Sequence, residues 1–391
     1  MTPSRVRVDV ARHCLSSLLA LATCGVVPAQ STKIDIGAID LDDAEIKRTY
    51  TDWLESKGRA PLDYVLATFE HHDVVLLGEH HEVRQNCAFV TALVPRLVKA
   101  GVRVLASEFY PSSRQDDLDA IADGRGERFD RDRAIAISRE VAWPTWGYVE
   151  YLAIVEAVWK ANHEERARTA EPRLLRFVGI DSDWKQVALW NETSAAKRAE
   201  AFLAREQTMI ASVAKHIAPA GDDAPKVLVH CGFAHTVTAQ GVRLGTVLRK
   251  RYGSRVRQVV LHHEFGSLSK TIETLAGDGR AIGFDVVESP FAHWTDSTQM
   301  AFRFVDSFDK LAEGWVVLAP ASALRPVHWI PGFVDDPHFA DALFVARRRG
   351  WVDKDDDIGA ADELDAKIRD HFERKANDLD RAARVGGKKQ G

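Results

Sequence analysis

Five short runs of apolar residues, each bounded by polar residues or glycine, set the pattern of this chain. Their Val, Leu and Ile residues are nearly continuous, which is typical of strands covered on both faces in a parallel sheet. Further apolar runs at 281–287 and 314–320 extend the predicted sheet. The five runs are DVVLLGEH (73–80), VRVLASEF (102–109), LLRFVGID (174–181), KVLVHCGFAH (226–235) and RQVVLHHEF (257–265).

Apolar residues at helical spacing separate these runs. Residues 83–97 carry such a stripe, and Gly101 supplies a stop, so the first two runs predict a β-α-β unit. A long interval, 110–172, follows the second run and contains the helical stripe of TWGYVEYLAIVEAVWKAN. Further helices are predicted at about 187–218 and near 244–253. The pattern predicts an α/β fold with a mainly parallel central sheet flanked by helices and a long helical insertion after the second strand.

The first 29 residues predict an export signal peptide. Arginines precede the stretch CLSSLLALATCGVV, which is short for a bilayer span, and VPA at 27–29 places small residues before a cleavage at Gln30. Cys24 is an alternative, as a site of lipid attachment. We therefore expect an exported protein, periplasmic or secreted, with no integral membrane segment in its mature part.

Residues 30–352 are expected to form a single α/β domain, because neither a repeat nor a low-complexity linker interrupts them. Residues 353–391 are rich in charge and predict a solvated helical tail. Of the four cysteines, Cys87 and Cys231 would remain after cleavage. They show neither C-x-x-C nor zinc-finger spacing, so disulfides are not expected to hold the fold.

Composition narrows the function classes. The chain has 391 residues, 46% hydrophobic and 28% charged, which is ordinary for a globular protein. Its formal net charge is −5, and basic residues are scattered among acidic ones. A nucleic-acid partner is therefore not expected, and a small-molecule or peptide substrate is. The oligomeric state is left open.

Ionisable residues follow the predicted strands at one end. In open α/β sheets the ligand lies outside the carboxyl ends of the strands, where loops from several strands meet. Chance would scatter carboxylates and imidazoles along the chain, so their concentration there predicts one polar site. In chain order these residues are Glu79, His81, Glu108, Asp181, His230, His235, His262, His263 and Glu264.

The strongest candidates are Glu79, Glu108 and His235, because a charge buried without a partner is costly. Asp181 has an alternative role as the N-cap of a following helix. The neighbouring histidines 80 and 81, like 262 and 263, must point in different directions, and the sequence leaves open which of each pair faces the site.

Carboxylates beside imidazoles support two kinds of chemistry. They act as acid and base around a bound water, or they hold a divalent metal that lowers the pKa of that water. The spacing differs from the metal motif H-E-x-x-H. The chain also lacks a G-x-S-x-G elbow, a phosphate-binding G-x-x-x-x-G-K-[ST] loop and a strand-linked G-x-G-x-x-G motif.

The motif LLGEHH after a strand resembles the G-E-x-H opening of the haem-binding uptake and Tiki (ChaN-like) superfamily, which is similar in turn to the erythromycin-esterase-like proteins. The resemblance continues through Glu108 in SEF, the aromatic helix WGYVEYLAIVEAVW, Asp181 in GID and His235 in GFAH, over about residues 60–320. It implies an α/β fold with a pocket formed by Glu79, His81, Glu108 and His235.

That superfamily is functionally mixed. The resemblance implies hydrolysis with a water-activating histidine from the esterase-like members, metal-dependent proteolysis from the Tiki members and haem binding from the ChaN-like members. In this chain His81 follows Glu79 by two residues, whereas the esterase-like pattern places the histidine three after the glutamate. Macrolide hydrolysis is therefore not implied.

Two main hypotheses follow. The first is an exported hydrolase, esterase-like or protease-like, with Glu79, His81, Glu108 and His235 as catalytic residues. A divalent metal (Zn, Mn or Co) would take ligands from Glu79, His81, Glu108, Asp181, His235 and His263. The second is an envelope protein that binds haem or a metal chelate, with Tyr110 or a histidine such as His230 on the iron. A third reading is a site that has lost its activity and serves protein recognition.

Overall fold

The computed structural model describes residues 33–141, 146–183, 194–219, 221, 224–239, 241–277, 279–296 and 305–387. The predicted signal peptide, Cys24 and the first part of the helix predicted at about 187–218 lie outside these ranges. Residues from Lys33 onward form one compact unit.

A seven-stranded sheet with the strand order β4-β3-β5-β2-β6-β9-β7 forms the centre of this unit. Its strands are parallel except β7, which pairs with β9 in the antiparallel direction. The predicted mainly parallel sheet is confirmed. The short strands β1 (Ile34–Asp35) and β8 (Trp294–Thr295) pair separately. The sheet strands are β2 (Val74–Glu79), β3 (Val102–Pro111), β4 (Arg176–Asp181), β5 (Lys226–Gly232), β6 (Val256–Leu261), β7 (Ile282–Asp285) and β9 (Gly314–Val317).

The helices flank the sheet, and three of them form the predicted insertion after the second strand of the sheet. That insertion comprises α4, α5 and α6 and is therefore confirmed. Within the described ranges the helices are α1 (Ala44–Lys57), α2 (Pro61–Thr68), α3 (Arg84–Leu97), α4 (Gln115–Ala122), α5 (Arg131–Ser138), α6 (Val149–Arg168), α7 (Ala195–Ala214), α8 (Phe233–Thr236), α9 (Leu244–Tyr252), α10 (Ser267–Ala276), α11 (Phe308–Leu311), α12 (Phe339–Arg349) and α13 (Ala361–Gly387).

Strand β2 shows why the apolar runs are continuous. Val75 and Leu77 pack into the apolar cluster on the α3 and α6 side of the sheet, whereas Val74 and Leu76 pack into the cluster on the α7 and α9 side. Successive side chains of a strand point to opposite faces, so a strand covered on both faces needs apolar residues at every position. Burial of each such side chain contributes about 1.5–3 kcal/mol.

The C-terminal segment is helical but does not behave as a solvated tail throughout. Leu364, Ile368 and Phe372 of α13 recur every four residues on one face and are buried against the core. The Trp329 indole donates to Asp365 of the same helix at 2.8 Å. The charged residues between these three positions made the apolar periodicity of α13 hard to recognise in the sequence. None of the described helices is long and apolar enough to cross a membrane.

Candidate functional site

Three neighbouring strands place the predicted residues at one edge of the sheet. Strands β3, β5 and β2 are adjacent and parallel, so their carboxyl ends lie side by side. Glu79 ends β2 opposite Gly232 of β5, and Glu108 lies near the end of β3. His235 follows β5 in the short helix α8. The structure thus brings together Glu79, Glu108 and His235, with His81 in the loop after β2.

Glu79 lies in a buried cluster of hydrogen-bond donors. Its carboxylate bonds His81 Nδ1 through Oε1 at 3.0 Å and His230 Nε2 through Oε2 at 2.7 Å, and the Tyr151 hydroxyl also donates to Oε1. Burial raises the pKa of Glu79, but the two histidines outweigh it and lower that pKa to about 2. Glu79 is therefore an anion at neutral pH.

His81 is the member of this cluster that reaches solvent, with 25% of its side chain exposed. An anionic carboxylate only accepts hydrogen bonds, so the Nδ1 atom facing Glu79 carries a proton and Nε2 of the neutral ring has a free lone pair. This Nε2 lies beside Gly232, where a Cβ atom would stand only 2.6 Å from it. The ring also meets Trp146 edge-on, at 4.8 Å between centroids. Gly232 therefore makes room for the imidazole.

Glu108 lies in a second buried cluster, held by different partners. Its Oε1 atom accepts from Arg205 Nη2 at 2.5 Å, and its Oε2 atom accepts from the Gly232 amide at 2.7 Å. Arg205 also binds Asp181, with Nε to Oδ1 at 2.7 Å and Nη2 to Oδ2 at 2.8 Å. Burial raises the pKa of Glu108, but His235 and Arg205 outweigh it and hold that pKa well below its usual range. One guanidinium thus compensates two buried carboxylates.

His235 joins this second cluster as a cation. Its Nδ1 donates to Glu206 at 2.6 Å, and its Nε2 lies 3.3 Å from Glu108 Oε1. Burial lowers the pKa of His235, but the two carboxylates outweigh it, and Glu108 contributes most to raising that pKa to about 9. His235 is therefore protonated at neutral pH, with both ring nitrogens as donors.

A cavity of about 260 Å³ opens between the two clusters. It exposes His81 on one wall and His235 on another, while Glu108 lies behind Gly232. Its lining comes from the loop after β2, from the start of α8 and from the end of α12. The lining residues are Glu79, His80, His81, Glu82, Gly232, Phe233, Ala234, His235 and Arg349.

Other predicted site residues lie elsewhere. Tyr110 is buried in the core, with its ring edge-on to Phe177 at 5.2 Å. His263 is buried behind the cavity, against Phe265 at 3.8 Å between centroids, and burial together with its neighbouring histidines lowers its pKa to about 2.

The two pairs of neighbouring histidines differ in their relation to the cavity. His80 and His81 both line the cavity, His80 as the exposed member. His262 accepts from the Trp315 indole through Nδ1 at 3.2 Å and therefore donates through Nε2 to Glu273 at 2.6 Å, so its ring has a structural role.

The predicted ligand set does not form one coordination sphere. Among the described residues, no group of three or more His, Cys, Asp or Glu side chains is arranged to hold a metal ion. Asp181 and Glu108 are turned towards Arg205, and His263 is packed among aromatic rings. These six residues therefore do not fit a shared metal.

The cavity does not fit a haem either. A haem needs an apolar slot and an axial donor, whereas this cavity is about 260 Å³ and is lined largely by ionisable side chains. Tyr110 does not reach it, and the Nε2 atom of the fully buried His230 is bonded to Glu79. Of the predicted donors, His81 alone presents a free ring nitrogen to the cavity.

Sequence reasoning missed four residues of the site. Arg205 and Glu206 come from the middle of α7, Tyr151 was recognised only as part of an apolar stripe, and Arg349 ends α12. Charged residues inside a helix are usual on solvated faces. Only the docking of these helices on the sheet reveals which of them turn inward.

Comparison with known proteins supports the resemblance. Residues 65–181 match the family described as "Haem-binding uptake, Tiki superfamily, ChaN". This stretch runs from α2 to the end of β4 and includes Glu79, His81 and Glu108. No curated protein sequence matches the chain.

Solved structures that resemble this chain do so at low identity. One is entitled "Cofacial heme binding to ChaN of Campylobacter jejuni": it is 14% identical, the match covers 52% of this chain and 86% of that one, and the TM-score is 0.34. An erythromycin esterase mutant, EreC, in its open conformation is 12% identical over 67% and 97%, with a TM-score of 0.44. A succinoglycan biosynthesis protein is 12% identical over 73% and 99%, with a TM-score of 0.47.

Proposed function

We propose that this chain, whose residues 65–181 match the haem-binding uptake and Tiki superfamily, is a hydrolase in which His81 activates water. One observation carries the proposal: Glu79 binds His81 through Nδ1, while Nε2 lies beside Gly232 in the lining of the cavity. The substrate class is a small ester or peptide.

The first step is addition of water to the carbonyl carbon. One O–H proton of the water passes to His81 Nε2 as the new C–O bond forms, which turns the ring into an imidazolium. The anionic Glu79 stabilises that charge and fixes the ring orientation, because its own pKa is about 2 and it stays deprotonated. His230 and Tyr151 hold the carboxylate in place.

The second step is cleavage of the C–O or C–N bond to the leaving group. The leaving group takes the proton that His81 Nε2 received from water, and the products are a carboxylic acid and an alcohol or amine, so the atoms of water are accounted for and His81 is regenerated. His235 lines the same cavity and is protonated at neutral pH, with Glu108 and Glu206 beside it. Its charge, held in place by these carboxylates, stabilises the oxyanion that forms between the two steps.

The alternative, binding of haem or of a metal chelate, is supported by the family description alone. The cavity donors argue against it, since Tyr110 lies in the core and His230 is bonded to Glu79. No step of the proposed reaction passes through a haem or a metal.

The test is a panel of chromogenic esters and peptides assayed with the wild type and with His81→Ala. We expect His81→Ala to lower kcat/KM by about 10²–10⁴-fold, the usual contribution of a general base. His71→Ala is the matched control, because His71 is exposed and precedes β2 at the other edge of the sheet. Full turnover by His81→Ala would overturn the proposal, and a stoichiometric haem absorbance band without turnover would replace it with the binding function.

We further propose that the protein is exported, with cleavage before Gln30. The support is the run of arginines followed by CLSSLLALATCGVV and VPA in the first 29 residues. Expression of the full chain in a bacterial host should give an extracytoplasmic product whose first residue on N-terminal sequencing is Gln30. A product that keeps Met1 in the cytoplasm would contradict export.

A further inference from the structure

The C-terminal part of the chain supplies one residue of the cavity, Arg349. Helix α12 ends at this residue, and Gly350 follows in the left-handed conformation with φ of 71°, which turns the chain. Trp351, directly after the turn, is 5% exposed and packs in the core. Arg349 is therefore fixed at the cavity by buried neighbours and is not part of a loose loop.

Three contacts orient the guanidinium of Arg349. Its Nη1 donates to Glu82 Oε1 at 2.7 Å, and its central carbon lies 5.6 Å from the Trp146 ring centroid and 5.4 Å from that of Trp351. Among the described residues, no other hydrogen-bond acceptor takes its remaining N–H groups. A guanidinium presents five donors in a rigid fork, so one edge of the fork stays available.

Glu82 does not neutralise this cation by itself. Lys375 of α13 lies 3.9 Å from the other carboxylate oxygen of Glu82, so one carboxylate faces two cations and the group keeps a net positive charge. The protonated His235 lies in the same lining, but Glu108 and Glu206 compensate its charge. Glu79, which lines the cavity together with Glu82, is buried and bonded to three donors. The Arg349 guanidinium, which shares the Glu82 carboxylate with Lys375, is therefore the cation that this part of the lining presents without a full counter-charge.

Glu82 also connects this group to the water-activating pair. It is the one non-glycine residue with positive φ (67°) among the described residues. In this conformation its amide donates to the Tyr151 hydroxyl, which donates in turn to Glu79, while its side chain holds Arg349. The backbone at Glu82 thus sets the position of the guanidinium relative to His81.

We propose that Arg349 is a specificity residue that binds a carboxylate of the substrate. The site then takes small esters or amides that carry a free carboxylate in addition to the ester or amide group that is cleaved. A planar carboxylate matches the open edge of the guanidinium fork. This inference rests on the proposed hydrolase function for its substrate class, while the binding of a carboxylate is testable without turnover.

The binding test uses benzoate and its neutral isostere benzamide, measured by saturation-transfer NMR and calorimetry on the wild type, Arg349→Met, Arg349→Lys and Arg348→Met. We expect the wild type to prefer benzoate by at least tenfold. Arg349→Met should lose that preference and Arg349→Lys should keep part of it, since a lysine retains the charge without the fork. Arg348→Met is the matched control, because Arg348 is exposed on the same helix end and does not line the cavity.

Three results would overturn the inference: no benzoate binding by the wild type, equal binding of benzoate and benzamide, or an unchanged preference in Arg349→Met with a native circular dichroism spectrum.

The kinetic counterpart compares an ester that carries a free carboxylate with its methylated form. Arg349→Met should raise KM for the charged ester at least tenfold more than it raises KM for the neutral ester. Carboxylate binding without turnover would support the Arg349 site and count against hydrolysis. Turnover of both esters that Arg349→Met does not change would support hydrolysis and count against the Arg349 site.

Discussion

Glu79 and Glu108 are both 1% exposed and lie near the ends of nearby strands, yet their surroundings differ. Glu79 is bonded to two imidazoles and a phenol, and one of those imidazoles reaches the cavity. Glu108 is bonded to a guanidinium, a backbone amide and a protonated histidine. The first carboxylate acts on a ring that can exchange protons with solvent. The second carboxylate is tied into a buried ion network that fixes the charge of His235.

This comparison divides the site into a reactive half and a charged support. The reactive half is Glu79 with His81, His230 and Tyr151. The charged support is Glu108 with Arg205, Asp181, His235 and Glu206. If it is right, damage to the Glu79 cluster should remove activity more than stability, and damage to the Arg205 cluster should do the opposite. The predictions below test that division.

The largest expected effect is on activity, in Glu79→Gln. The amide keeps the size of the carboxylate but removes the negative charge that orients His81 and stabilises its protonated form, so we expect kcat/KM to fall by about 10³-fold. The control is Glu264→Gln, an exposed carboxylate after β6. Steady-state kinetics on the best substrate of the panel measures both. A fall of less than threefold would place the reactive group elsewhere.

The next largest effect is on stability, in Arg205→Met. This change leaves Asp181 and Glu108 buried without their shared cation, and removal of one partner of a buried ion group costs about 3–5 kcal/mol. Urea unfolding should show that loss, with little change for Arg251→Met on an exposed surface. Adding Asp181→Asn to Arg205→Met should recover part of the stability, because it removes one of the two uncompensated charges. A loss below about 1 kcal/mol would mean that Arg205 does not hold the network.

The sequence predicts the residues at the strand ends better than it predicts their partners. Glu79, Glu108 and His235 could be expected to lie at one edge because strand direction is encoded by short apolar runs, and parallel strands end on the same side. Which strands are neighbours is not encoded locally. The order β3-β5-β2 puts Gly232 between Glu108 and His81, and this depends on how the crossover helices pack.

The site residues that lie on helices show what a local sequence pattern cannot predict. Arg205 and Glu206 lie inside α7, where neighbouring charged residues read as a solvated surface, and Arg349 arrives from more than 260 residues beyond Glu79. Each becomes recognisable only when its helix docks. The buried stripe of α13 was missed for a related reason, since Leu364, Ile368 and Phe372 are separated by charged residues.

A third prediction separates the two clusters by pH. The pKa of His235 is raised to about 9 in the folded protein, above its ordinary value of about 6.5. Its contribution to stability is therefore fully present below pH 6.5 and is lost as the pH rises through 9, on the order of 3 kcal/mol. The pKa of Glu79 is lowered to about 2, so its contribution is present above its ordinary value of about 4.5 and is lost as the pH falls towards 2.

Urea unfolding of the wild type and of His235→Gln between pH 6.5 and 9.5 measures the upper window. We expect the wild type to lose stability over this range and the variant to show a flatter curve. Parallel curves for the two proteins would mean that His235 is not the titrating group, and the distinction between a charged support and a reactive half would lose its electrostatic basis.

The smallest expected effect comes from Gly232→Ala, where the two halves meet. A Cβ atom there would lie 2.6 Å from His81 Nε2 but 3.5 Å from Glu108 Oε2, so the clash acts on the reactive half while the Glu108 contact is ordinary. The partly exposed imidazole can shift, and we expect kcat/KM to fall about tenfold with less than about 1 kcal/mol of lost stability. Gly359→Ala is the control, since nothing lies within 4 Å of a Cβ at that position. Unchanged kinetics in Gly232→Ala would show that catalysis tolerates a displaced His81, which is incompatible with a base held in place by Glu79.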